Sequence, residues 1–229
     1  MVPGSDVDVP AEAASVARRY ERIERPISWT VALLVGTVAA VALLTLPLVR
    51  GLLVAAAVLV AVRVPLFRSD GTARLVTDTD AAAVRADFES PCPPLLAFQW
   101  GIADAVRPTA DGAEYELTYL FGTRSVTMET TVHTPSSDGG LTDHADERDG
   151  GEVTDELELV VTAAGQPWAT YAVSMEDRGD ETVVDVSWQS ERRFDLRHLP
   201  PWLVGNRYRP AALAAQGYTV VERDATLSL

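Results

Sequence analysis

The stretch SSDGGLTDHADERDGGEVTDE, Ser136–Glu156, gathers metal-ligating side chains densely. Asp143, His144, Asp146, Glu147 and Asp149 offer carboxylates and one imidazole, donors that suit a divalent cation. The spacing does not suit one. A calcium loop of the EF-hand type needs acids at alternate positions, a central Gly and a Glu at the twelfth. A single histidine does not make a zinc site. Gly, Ser, Asp and Glu with few apolar residues describe a salt-solvated loop, and no metal is assigned.

The other chemically capable side chains are scattered. His133 ends a run beside Thr134-Pro135, and His198 precedes Leu199-Pro200-Pro201. Neither has a candidate nucleophile close in sequence. Cys92 lies in Ser90-Pro91-Cys92-Pro93-Pro94 with no nearby histidine, so it reads as a buried or loop thiol. No G-x-S-x-G, H-E-x-x-H, P-loop or G-x-G-x-x-G pattern occurs. No catalytic residue and no cofactor follow from these motifs.

Tyr115, Tyr119, Phe121, Trp168, Tyr171, Trp188 and Trp202 are the candidates for a ligand pocket. Large rings suit an apolar ligand, but they equally fill an ordinary core between a sheet and a helix. Arg192, Arg193, Arg197, Arg207 and Arg209 form the one basic concentration late in the chain. They suit either anionic membrane headgroups or pairing with surplus carboxylates.

That cluster stands out against the charge of its surroundings. The 229 residues carry a net charge of −14. Residues 1–68 hold seven Arg against five acids, whereas residues 69–229 hold twelve Arg against twenty-eight. All nineteen basic residues are Arg. A Lys-free acidic surface is the style of halophile proteins, in which dense carboxylates hold water and salt screens their repulsion. It argues against a phosphate backbone as partner, so no nucleic acid is expected. One cysteine excludes an intrachain disulfide.

Trp29 to Phe67 is apolar enough for a membrane region. One helix of that length would span about 58 Å, against a hydrocarbon core of about 30 Å. Pro47 lacks an N–H and disfavours helix in the residue before it. The chain therefore reads as two spans, Ser28–Leu46 and Pro47–Val64, with the bend at Thr45–Pro47. Arg50 then snorkels at one interface and Arg63 at the other. Arg18, Arg19, Arg22, Arg25, Arg63 and Arg68 flank the spans on the side of the two chain ends. The positive-inside rule puts both termini in the cytoplasm. Before the first span, Val16, Tyr20, Ile23 and Ile27 make an apolar stripe among those arginines. It reads either as a basic amphipathic helix on the inner leaflet or as a plain extension of the span. Headgroup contacts are expected at Arg18, Arg19, Arg22, Arg25, Arg63, Arg68, Arg207 and Arg209.

From residue 70 onward, strand patterns take over. Ala73–Asp78 alternates, Ala81–Glu89 is a helix capped by Thr79 or Asp80, and Leu95–Trp100 is a further helical turn. Strands follow at Ile102–Arg107, Glu114–Phe121, Arg124–His133, Asp155–Thr162, Trp168–Met175 and Glu181–Gln189. The sequence predicts two-residue turning at Gly122-Thr123 and a four-residue turn at Ala164–Pro167. A helix near Leu199–Gln216 and a strand at Tyr218–Leu227 close the chain. Short turns between successive strands make them antiparallel neighbours.

In this order of elements, over about residues 72–217, the chain resembles the START-like, or SRPBCC, helix-grip family. The resemblance implies an α+β domain in which a curved antiparallel sheet wraps a C-terminal helix. The long acidic loop, Pro210 in the final helix and the extra strand depart from it. The expected organisation is a tail with its short helix (1–26), a two-helix transmembrane hairpin (27–67) and an acidic START-like domain (70–229). The resemblance implies a non-catalytic, membrane-anchored domain binding a hydrophobic small molecule or lipid at the inner leaflet. The alternative is a membrane-tethered interaction module with a filled core and a protein partner. A START-like cyclase or hydrolase is a third option, and it would need an acid–base pair inside the cavity.

Overall fold

The computed structural model describes residues 7–119, 124–134 and 155–228, with backbone alone at Tyr119 and Asp155. The protein is α+β: a long N-terminal helix, a shorter second helix, an eight-stranded antiparallel sheet and a C-terminal helix. Residues 136–154 of the acidic loop, Phe121 and the Gly122-Thr123 turn lie outside the described residues.

Helix α1 runs without interruption from Ala11 to Thr45. The short helix expected before the membrane and the first span are one element. Pro26 lies inside it and removes one backbone hydrogen bond, and the helix continues through it. The inner-leaflet expectation for its first half is corrected in part. Ala13, Ala14 and Ala17 are buried against the domain core, and Val16 and Tyr20 pack beside them. Ile23 and Ile27 remain exposed.

Leu46 is extended, and α2, Leu48–Arg63, begins after Pro47. The break falls where the proline chemistry puts it. Gly51 of α2 approaches α1 closely: a Cβ there would lie 2.7 Å from the Ala42 carbonyl oxygen. Ala39, Ala42 and Ala55 are buried along the same contact, as small residues permit. At 16 residues, α2 spans about 24 Å. It ends before Val64, which is extended because Pro65 follows. By length and composition α1 can cross a membrane, and its most apolar stretch is largely unburied. Leu33, Leu34, Leu44, Leu48, Val49, Leu52, Leu53 and Val60 are all exposed.

The domain starts earlier than expected, at β1, Arg68–Thr77. Helix α3, Ala81–Glu89, is capped by Asp80, whose side chain accepts from the Ala83 N–H. A tight turn at Pro94–Leu96 leads into α4, Ala97–Trp100. Six strands follow: β2 (Ala105–Thr109), β3 (Gly112–Tyr119), β4 (Arg124–His133), β5 (Asp155–Ala163), β6 (Gln166–Asp177) and β7 (Thr182–Ser190). The turn between β5 and β6 is shorter than expected. Ala164 and Gly165 both take positive φ, a two-residue hairpin turn, and Pro167 sits inside β6 opposite Thr162. Helix α5, Leu199–Ala214, and β8, Thr219–Ser228, complete the chain.

The sheet order is β2-β3-β4-β5-β6-β7-β1-β8. One face buries Leu75, Tyr115, Met128, Leu159, Tyr171, Val173 and Val184. Over it lie Val84 and Phe88 of α3, Leu95 to Trp100, Leu213 of α5 and the three alanines of α1.

Candidate functional site

A cavity of about 210 Å³ opens between this sheet face and α5. Its floor comes from β6, β7 and β1 through Trp168, Tyr171, Trp188 and Ser69, with β8 adding Arg223 and Leu227. Helix α5 presents Trp202, Gly205, Asn206 and Arg209, spaced by three and four residues and so on one side of the helix. Tyr20 of α1 and Phe98 of α4 close the end, their ring centroids 4.7 Å apart. Phe194 and His198, from the segment between β7 and α5, form the other wall.

Four of the seven expected pocket aromatics meet here: Trp168, Tyr171, Trp188 and Trp202. Tyr115 does not. It is fully buried in the core and donates its hydroxyl to the Pro91 carbonyl at 3.0 Å. The side chain of Tyr119, like Phe121, lies outside the described residues. Trp202 Nε1 donates to Ser69 Oγ at 3.0 Å, fixing α5 to β1. Trp188 fits because Gly71 lies under it; a Cβ on Gly71 would meet its ring at 2.5 Å.

The arginines divide by environment. Arg18, Arg19, Arg22, Arg25, Arg63, Arg68 and Arg207 are exposed, with Arg25 on Glu21 at 2.6 Å. Arg192 stacks over Trp168, and Arg197 binds Asp195. Arg209, expected at headgroups, instead turns into the cavity. Its guanidinium lies 5.6 Å from the Phe98 ring centre and donates to the Leu95 carbonyl. Arg223 faces it from β8, 5.3 Å from the Trp188 ring centre, and donates to Asn206 Oδ1 at 2.8 Å. Burial, with the neighbouring charge of Arg209, pulls the pKa of Arg223 down to about 10.

The sequence gives little warning of Arg223. In simple alternation it would share a side with Val221, which is exposed. A register shift opposite Arg74 and Leu75 places Val220 across from Leu75 and Glu222 across from Arg74. The extra residue reverses the parity of β8. Arg223, Ala225 and Leu227 therefore turn inward, while Glu222 and Asp224 stay outward.

The cavity wall also holds an acid–imidazole pair absent from the candidate sites above. Asp195 Oδ1 lies 2.8 Å from His198 Nδ1, and Asp195 Oδ2 accepts from Arg197 Nε. Burial pushes Asp195 upward, but the bonds from Arg197 and His198 outweigh it and hold the carboxyl below the usual range. Ser69 and Ser190 line the same cavity. The Ser190 hydroxyl accepts from the Ser69 N–H at 2.9 Å. His133 is exposed at the end of β4. Cys92 is buried, and burial pushes its thiol up to about 11, which suits packing and not nucleophilic attack. Among the described residues no three His, Cys, Asp or Glu side chains gather as a metal site.

No family model matches the chain, and no curated protein matches it. Solved structures that it resembles include the Mll3558 protein from Rhizobium loti, at 16% identity and a TM-score of 0.39. That match covers 65% of this chain and 96% of that one. A conserved protein from Geobacillus kaustophilus matches at 9% identity and a TM-score of 0.36, over 65% of this chain and 93% of its own. Likenesses of this size carry no functional argument.

Proposed function

We propose that this protein is a two-pass membrane protein whose helix-grip-like, START-like domain binds a hydrophobic small molecule or lipid beside the inner leaflet. The cavity carries the reading. It lies between the sheet and the C-terminal helix, where a helix-grip ligand would lie, and Trp168, Trp188 and Trp202 line it. The membrane part rests on the exposed leucines and valines of α1 and α2, which lack protein cover among the described residues. The arginines on both flanks of the pair favour termini and domain in the cytoplasm. The test is native mass spectrometry of the full chain purified in high salt, with lipid extraction. One apolar molecule per chain is the expected result. A chain recovered empty under gentle extraction overturns the reading in favour of a scaffold.

Two other readings each have one observation behind them. The cavity is smaller than the roughly 300–1,000 Å³ of drug-sized sites, which favours a membrane-tethered interaction module with a protein partner. The Asp195–His198 pair favours a START-like cyclase or hydrolase, with His198 as base and Asp195 orienting it. Turnover that disappears in His198→Gln while ligand binding persists would support the latter.

A further inference from the structure

Arg209 and Arg223 present a problem that the fold leaves unsolved. In a chain with an excess of fourteen negative charges, neither has an acidic partner within 4.0 Å among the described residues. The Nε of each is buried and without a hydrogen-bond acceptor. Both line the same cavity, from opposite sides. Burying two like charges together is costly unless something pairs with them, and orphaned buried donors are rare in folded proteins. The placement is also built in. A bulge in β8 turns Arg223 inward, Asn206 orients it, and Trp188 and Phe98 support the two guanidinium faces.

We infer that the ligand is an amphiphile with an anionic head, a carboxylate or phosphate held between Arg209 and Arg223, and a short apolar tail against Trp168 and Trp202. This rests on the pocket reading above and adds the chemistry of the head group. Two planar guanidinium groups match the oxygens of such an anion, and the Phe98 and Trp188 rings lie against them. A cavity of about 210 Å³ holds roughly seven non-hydrogen atoms at about 30 Å³ each, the head group and the first carbons of a chain. A longer tail would leave through the open side.

The test uses the full chain in phosphatidylcholine nanodiscs, with empty nanodiscs as blank and calorimetric titration of decanoate, decyl phosphate and decanol. Decanoate or decyl phosphate should bind roughly tenfold or more tighter than decanol. The tighter of the two acids tells a free fatty acid from a phosphorylated lipid as the source. In Arg209→Gln/Arg223→Gln both acids should fall to the level of decanol while decanol binding holds, which also shows that the variant is folded. Arg223→Lys, which keeps the charge, should retain the preference for acids. Equal binding of acids and alcohol by the unaltered protein, or a preference that survives the double substitution, overturns the anionic-head inference and leaves the pocket reading standing. Absence of binding by all three ligands overturns both.

Discussion

The ring of Tyr20 lies 4.7 Å from the ring of Phe98, so the helix that carries the exposed apolar stretch also forms a wall of the cavity. Truncating Tyr20 should be felt in both places. Tyr20→Ala removes a large, half-buried side chain and should destabilise the domain by about 2–4 kcal/mol. Thermal unfolding of the full chain reads the loss, and tryptophan emission should shift red as Trp202 meets water. An unchanged melting temperature would mean that α1 merely rests on the domain.

Asp195 ties Arg197 and His198 to the start of α5. Asp195→Asn should cost about 1–3 kcal/mol at neutral pH, or several degrees in melting temperature. The carboxyl is held below its usual range in the folded state, so its stabilisation is present above the ordinary Asp value of about 3.9. It disappears as pH falls through the lower folded-state value. Melting curves of protein and variant should therefore converge in acid. A gap that stays constant into strong acid would show that the carboxylate contributes packing only.

Gly51 allows α2 to approach the Ala42 carbonyl. Gly51→Leu must push the two helices apart, at about 1–3 kcal/mol for an overpacked contact, and Gly51→Ala should cost less. Resistance to dissociation and unfolding in graded detergent measures the difference. If Gly51→Leu behaves as wild type, the close α1–α2 contact at Ala42 does not hold the two helices together.

With Cys92 replaced by Ala, single cysteines at Asp8 and Glu222 should both be shielded from a membrane-impermeant maleimide in intact cells and both react after lysis. Labelling of one alone in intact cells would place the two on opposite faces and end the two-pass reading.

Much of the sheet is legible because alternation is a local property. Arg124–His133 is both the alternating run and β4, and of the two expected caps, Thr79 and Asp80, it is Asp80 that caps α3. The bend at Pro47 is legible for the same reason: a missing N–H acts on its neighbours alone. Pro26 shows where such reasoning ends. The same residue type ends one helix at Pro47 and lies within another at Pro26, so the residue type alone does not decide the outcome. Trp168, Tyr171, Trp188 and Trp202 could be nominated by type. Tyr115 has the same type, but its position on β3 puts it in the core. Arg223 and Asp195 were beyond reach, the first because one bulge reverses a strand's parity, the second because a three-residue spacing says nothing about which cavity it faces.

The unbroken course of α1 has a mechanical corollary. An α-helix advances about 100° per residue, so the side of the cylinder that buries Ala13, Ala14 and Ala17 is geared to the side that meets Gly51. Adding one residue near Glu24 would rotate one end against the other by more than a quarter turn, whereas seven added residues would bring the two nearly back into phase. The cavity and the apolar helices therefore share a single shaft, and the rotational phase between its two ends sets which side of α1 Tyr20 presents to the cavity.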